Sequence, residues 1–292
     1  DGGAGSDTLT LSGAGAGFYS TPTSNFEQLS VNGGDWTLTG NITGLTSGQL
    51  SNGATLTLNS STAKINGNLQ ILSGTVQGNA LNMPSGIGGS GLARFTQDLP
   101  GSEIYSGLLS GSIAVEKTGP GTLILTNSAN IHSGGTTIAQ GVLQVGNGGT
   151  AGVLPGNVVN NASLVFNRSN ALTFAGAISG TGSVTQAGTG VLTLTGANSY
   201  SGGSIVTSGI LAAGSDGVLG APSSGLTLNG GTFRYLSAFG LGAGRAVSVG
   251  GSGGTIGLSF VALFDGSFGS LGAVSETLTS ATPLILCGLG LA

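Results

Sequence analysis

The sequence predicts an all-β, single-stranded, right-handed parallel β-helix, and three observations carry that prediction. The stretch 176–214, GAISGTGSVTQAGTGVLTLTGANSYSGGSIVTSGILAAG, occurs a second time upstream as 107–146, GLLSGSIAVEKTGPGTLILTNSANIHSGGTTIAQGVLQVG. Gly119 aligns with Gly188 and Gly135 with Gly203, so the offset between the copies slips by one position, within the turn Asn127-Ser128-Ala129-Asn130. A repeat that absorbs a change of length only at a Gly/Asn turn is a repeat of backbone shape. Its framework is Gly-x-Gly-x-Leu-x-Leu-Thr, then Ala-Asn, Ser-Gly-Gly and Gly-x-Leu, which reads as strand, turn, strand, turn, strand.

The second observation is spacing. Leu123, Leu143, Leu164 and Val184 each begin a short alternating run, and the interval between them is nearly constant. It matches a solenoid coil of three short strands and three turns, which takes ~20–25 residues. So short a coil cannot bury an apolar face alone and must stack on its neighbours. The third is composition. Of 292 residues, 60 are Gly, 38% are hydrophobic and 5% are charged, with a net charge of −4. Disordered chains combine low hydrophobicity with high charge, whereas here Leu, Val and Ile alternate with Thr and Ser and almost nothing has a helical period.

Three stretches follow in order and read as parts of one continuous solenoid: N-terminal coils over 1–106, repeat-bearing coils over 107–214, and C-terminal coils with an irregular apolar tail over 215–292. In the first, strands are expected near 54–58, 63–65, 69–72 and 75–76, separated by Asn-Gly and Ser-Gly turns. The segment Met83-Pro84 to Gly91 reads as an irregular glycine-rich loop, a solvated turn rather than a partner-binding projection, with Arg94, Asp98 and Glu103 around it. In the third, 226–234 and 245–249 alternate cleanly. From Phe260 the pattern degrades into a tail that either caps the stack or marks a divergent end.

The residues that carry chemistry are few. Gly2-Gly3-Ala4-Gly5-Ser6-Asp7-Thr8-Leu9 fits one copy of a calcium-binding nonapeptide, a motif that works in tandem, so a Gly-rich turn is the favoured reading. Cys287 alone allows no intramolecular disulfide, and with the single His132 leaves no zinc ligand set. His132 stands where the second copy has Tyr200, which reads as a turn or surface residue rather than a general base. Stacking can bring Glu103 near Glu116 or Asp98, but no spacing requires it. No Ser–His–Asp constellation is legible. Asn-x-Ser/Thr triplets at Asn41, Asn59, Asn161 and Asn167 are expected by chance. Six scattered Lys and Arg argue against nucleic acid, and no apolar run is long enough for a membrane helix. No catalytic, cofactor-binding or metal-binding residue is assigned, and the chain is not expected to be an enzyme. It opens with Asp1-Gly2-Gly3 rather than a charged and then apolar segment, and is read as an excised or processed piece.

The two copies, with their G-x-G-x-L-x-L-T-x-x-N-x-x-S-G-G and G-x-L cores, resemble the passenger-associated transport repeat of bacterial autotransporters. The passages 25–40 and LTLNGGTFR…RAVSVGGSGGTIG are also similar to stretches common in these passengers. The resemblance implies a structural and transport role (type V secretion) as the β-helical stem of a surface-exposed or secreted protein, with adhesin activity as a family-level expectation. It implies an extracellular, outer-membrane-associated location, an outer-membrane β-barrel translocator as partner, and a host-surface or neighbouring-cell ligand. The alternative on the same fold is a polysaccharide lyase or glycoside hydrolase. Its N-T-D, D-D, G-H-G and R-I-K patterns, which would supply paired carboxylates, do not occur here.

Overall fold

A computed structural model describes residues 3–21, 24–40, 44–59, 65–258 and 275–278. Among them the only helix is one 3₁₀ turn, Asp216–Val218. The rest is short strand and turn, as period-two alternation punctuated by glycine dictates. Two compact units are present: residues 1–147 with 151–158, and 148–150 with 159–292.

The first unit is a stack of parallel coils. One sheet runs Thr8–Ser12, Gln28–Asn32, Ser47–Ser51, Asn68–Ile71, Gly86–Gly89 and Leu108–Leu109, each strand parallel to the next. A second runs Ala16–Tyr19, Asp35–Leu38, Ala54–Leu58, Gly74–Gly78, Leu92–Thr96, Ala114–Thr118 and Thr136–Ile138. A third pairs Ser102–Tyr105, Thr122–Leu125 and Val142–Val145. Register fixes the coil length, because Thr8 faces Gln28 and Leu123 faces Leu143. The alternation sends every second residue inward, so Leu11, Val31, Leu50 and Ile71 form one column in register. The last three are fully enclosed. Each such side chain contributes about 1.5–3 kcal/mol by leaving water, and none of it is available until a neighbouring coil is in place.

The second unit follows the same plan. Ser163–Phe166, Ser183–Gln186, Ser204–Val206, Leu226–Leu228 and Val247–Val249 form one parallel sheet. Leu172–Phe174, Val191–Leu194, Ile210–Ala213, Thr232–Tyr235 and Gly254–Leu258 form another. Ser275–Leu278 then lies antiparallel along Gly254–Leu258. A strand of reversed direction at that edge occupies its exposed ladder groups. The excursion after Ala213 is held by Arg245, whose enclosed side chain ion-pairs with Asp216 at 2.6 Å and donates to the carbonyls of Leu219 and Ser224.

Three expectations need correction. A coil does not carry three strands throughout. From Ser183 onward each coil of the second unit has two, and its third wall is non-strand backbone that still bonds coil to coil, as in Ser199 N–H to Ile178 C=O and Ala221 N–H to Tyr200 C=O. The segment from Met83 to Gly91 is not a solvated turn. Met83 is buried, and Gly86–Gly89 is a regular strand. Without side chains at Gly86 and Gly88 the strand is invisible to propensity, yet a Cβ at Gly86 would collide with the Asn68 side chain and one at Gly88 would press on Ser110 and Gln70. The change from Ile124 to Thr193 between the copies reads in the sequence as a tolerant, solvent-facing side opposite the Leu123/Leu125 pair, yet that side is not freely solvated: Ile124 is buried and Thr193 half-buried. Coils lie only ~4.8 Å apart, so outward side chains in register, such as Ile104, Ile124 and Gln144, cover one another. Residues 63 and 64 of the strand expected at 63–65 lie outside the described residues, as does Cys287, while Ile65 is buried but not in a strand.

Candidate functional site

Each repeat copy opens on a short strand, Leu108–Leu109 or Ile178–Ser179, and then contains four longer strands, the last three being those of the Gly-x-Gly-x-Leu-x-Leu to Gly-x-Leu framework. These four fold as two consecutive coils. In the first copy Ala114–Thr118 pairs with Thr136–Ile138, and Thr122–Leu125 with Val142–Val145. In the second, Ser183–Gln186 pairs with Ser204–Val206, and Val191–Leu194 with Ile210–Ala213. The repeat is thus a self-stacking pair, in which the Gly-x-Leu strand closes over the Leu-x-Leu strand. The inserted residue of the first copy is taken up by a local turn in which Ala129 N–H donates to Asn127 Oδ1 at 2.7 Å.

Three buried polar devices recur in both copies. The first is an asparagine that ties three coils together. Leu109 N–H donates to Asn130 Oδ1 at 3.0 Å, and Asn130 Nδ2 donates to Val153 C=O at 3.0 Å. In the second copy Ile178 N–H donates to Asn198 Oδ1 at 2.8 Å, and Asn198 Nδ2 donates to Val218 C=O at 2.6 Å. One amide supplies both an acceptor and a donor, so it satisfies one backbone group on the coil before it and one on the coil after. The outer partners have a sequence signal of their own, because Gly-Val-Leu stands at 152–154 and again at 217–219.

The second device caps the Gly-x-Gly corner from inside. Lys117, with no exposed surface, donates its Nζ to the carbonyls of Thr118 and Gly119 at 2.7 Å and of Gln140 at 3.2 Å. Its counterpart Gln186 donates Nε2 to Gly188 C=O at 2.7 Å and Gly190 C=O at 3.1 Å. Burial pulls the Lys117 ammonium down to about 8, against a smaller opposing effect of Asp98. Above these corners sit Gly141 and Gly209, both at positive φ. A Cβ at either would strike the carbonyl oxygens of the corner beneath, so the repeat demands glycine there twice over.

The third device corrects the reading of His132 as a turn or surface residue. It is 1% exposed, and Tyr200 is completely enclosed. His132 Nε2 lies 3.2 Å from Thr136 Oγ1, and Tyr200 OH lies 2.6 Å from Ser204 Oγ. The residues interchange because each reaches the hydroxyl four positions on, the larger ring with the smaller Ser and the smaller ring with Thr. His132 Nδ1 is buried without a hydrogen bond, and burial lowers the imidazole to about 4. The unfolded chain protonates near 6.5, so between 6.5 and 4 it binds more protons than the folded one. Stability contributed by neutral His132 is therefore present above 6.5 and lost as pH falls towards 4, by roughly 2–3 kcal/mol. Urea titrations across this range should show that loss in the parent. The variant His132→Tyr with Thr136→Ser, which copies the second repeat, should lack it; an equal acid slope in both proteins would place the effect elsewhere.

The remaining candidates stay apart. Glu116 is paired with Arg94 at 2.6 Å, while Glu103 accepts from Ala80 N–H at 3.0 Å; the two lie in strands of different sheets. Asp7 N–H donates to Glu27 Oε2 at 2.7 Å. Among the described residues no three His, Cys, Asp or Glu side chains converge as a metal site, and no helix is long and apolar enough to cross a membrane.

Comparison with known proteins locates the same two segments. The family "Passenger-associated-transport-repeat" matches residues 115–145 and 184–213. Over 101 residues, 35% of this chain, the sequence is 50% identical to the Adhesin BmaC autotransporter of Brucella suis biovar 1 (strain 1330). The matched part is 3% of that protein's length. No solved structure matches the chain.

Proposed function

We propose that this chain is autotransporter passenger sequence, a stem segment displayed at the bacterial surface with an adhesive, non-enzymatic role, a reading supported by its two passenger-associated transport repeats, each folded as a pair of parallel β-solenoid coils. The observation that carries the reading is the asparagine tie. Asn130 and Asn198 each join the coil before to the coil after, so a coil gains its full set of bonds only when its predecessor is in place. A chain emerging through an outer-membrane β-barrel partner can then fold outside the cell one coil at a time, with no other source of energy than the stacking itself. The adhesive part of the proposal draws on the relative described as an adhesin. That the role is structural rather than catalytic is supported by the separation of Glu116, ion-paired with Arg94, from Glu103, which accepts from Ala80 N–H.

The test places the chain between a signal peptide and an outer-membrane β-barrel in a Gram-negative host. Intact cells should bind antibody against the chain, and should attach to epithelial cells or matrix-coated surfaces more than cells displaying the barrel alone. Retention in the periplasm would overturn the stem role. Display without any gain in attachment would overturn the adhesive one.

A further inference from the structure

We infer that the outward face of the first sheet of the first unit, around Gln28, Gln49 and Gln70, is a binding face for neutral polysaccharide. The inference deepens the adhesive reading and rests on it. In that sheet Thr10, Ser30, Gln49 and Gln70 form one outward column in register, and Gln28 faces Ser47 in the next. All are hydroxyl or amide side chains. Between the three glutamines lies a shallow, open concavity of about 410 Å³, which Ser30 and Ser47 also line.

The chemistry selects the ligand class. Each glutamine offers two N–H donors and a carbonyl acceptor, and each hydroxyl offers both functions; that is the complement of a sugar ring's hydroxyls. The array repeats every ~4.8 Å across the coils, which suits a polymer laid along the stack. Among the described residues no cation lines the concavity, and Asp7 and Glu27, at the entrances of the first two strands, are acids. Polyanions such as uronate or sulfated chains would meet repulsion from these two carboxylates.

Electrophoresis of the purified chain through native gels containing a soluble β-glucan, a galactomannan or polygalacturonate tests the inference. At least one neutral polymer should retard the protein, polygalacturonate should not, and Gln49→Ala with Gln70→Ala should weaken retardation on the order of tenfold, the loss of two hydrogen bonds. Both glutamines are exposed, so the double variant should melt with the parent, and Thr55→Ala on the adjacent sheet should change nothing. No retardation by either neutral polymer, retardation unchanged in the double variant, or retardation by polygalacturonate alone would each overturn the proposal. Cells that attach without such retardation would retain the adhesive reading and lose only the polysaccharide face.

Discussion

Replacing Asn198 with leucine should destabilise the second unit by about 2–6 kcal/mol, the cost of two buried backbone groups left unpaired at about 1–3 kcal/mol each. Leucine keeps the number and branching of the side-chain heavy atoms but can make neither hydrogen bond. The abandoned groups are Ile178 N–H and Val218 C=O, whose side-chain partner the substitution removes. Asn198→Asp should fail as well, because its carboxylate can still accept from Ile178 N–H but sets an oxygen against Val218 C=O. Urea unfolding of the three proteins measures this directly. A loss under about 0.5 kcal/mol for Asn198→Leu, the scale of an ordinary surface change, would show that the tie between coils is not a source of stability. The same substitution at Asn130 should have the same sign, since its two bonds are the same two bonds.

The second large effect is expected at Leu192. It faces Leu172 and Leu211 in register and is 1% exposed, as is Leu194. Leu192→Ala removes apolar atoms from a narrow core whose neighbouring coils are held by backbone ladders and cannot collapse into the gap. The expected cost is about 2–5 kcal/mol, transfer and cavity contributions together. Thr193 points outward between Thr173 and Ala212 and is half-buried, so Thr193→Ala should cost roughly 0.5 kcal/mol. Equal losses at the two sites would mean that the strand does not have one face inside the stack.

Fold class, approximate coil length, the repeat and the inward face of its strands were all legible in the chain, and each is a periodic property. Alternation at period two places Leu192 and Leu194 together, glycine marks corners such as Gly203 with its positive φ, and an even spacing sets Leu123 over Leu143. All can be read from neighbours along the chain. The family reading rested on the same periodic residues, because the repeat motif is written in them.

What the non-periodic residues do became readable only once the coils were stacked. Gly86–Gly89 has no strand signature, and is a strand because its backbone pairs in register with Asn68–Ile71 of the coil before, where the Asn68 side chain fills the space of a Cβ at Gly86. His132 looked interchangeable with a surface tyrosine, and is enclosed because its partner hydroxyl stands four positions on, within the coil. Asn130 and Asn198 were visible as repeat letters, but their work depends on backbone groups one coil away on either side. A polar residue inside a solenoid takes its meaning from the coils above and below it. That proximity exists only after the stack has formed, and no local pattern encodes it.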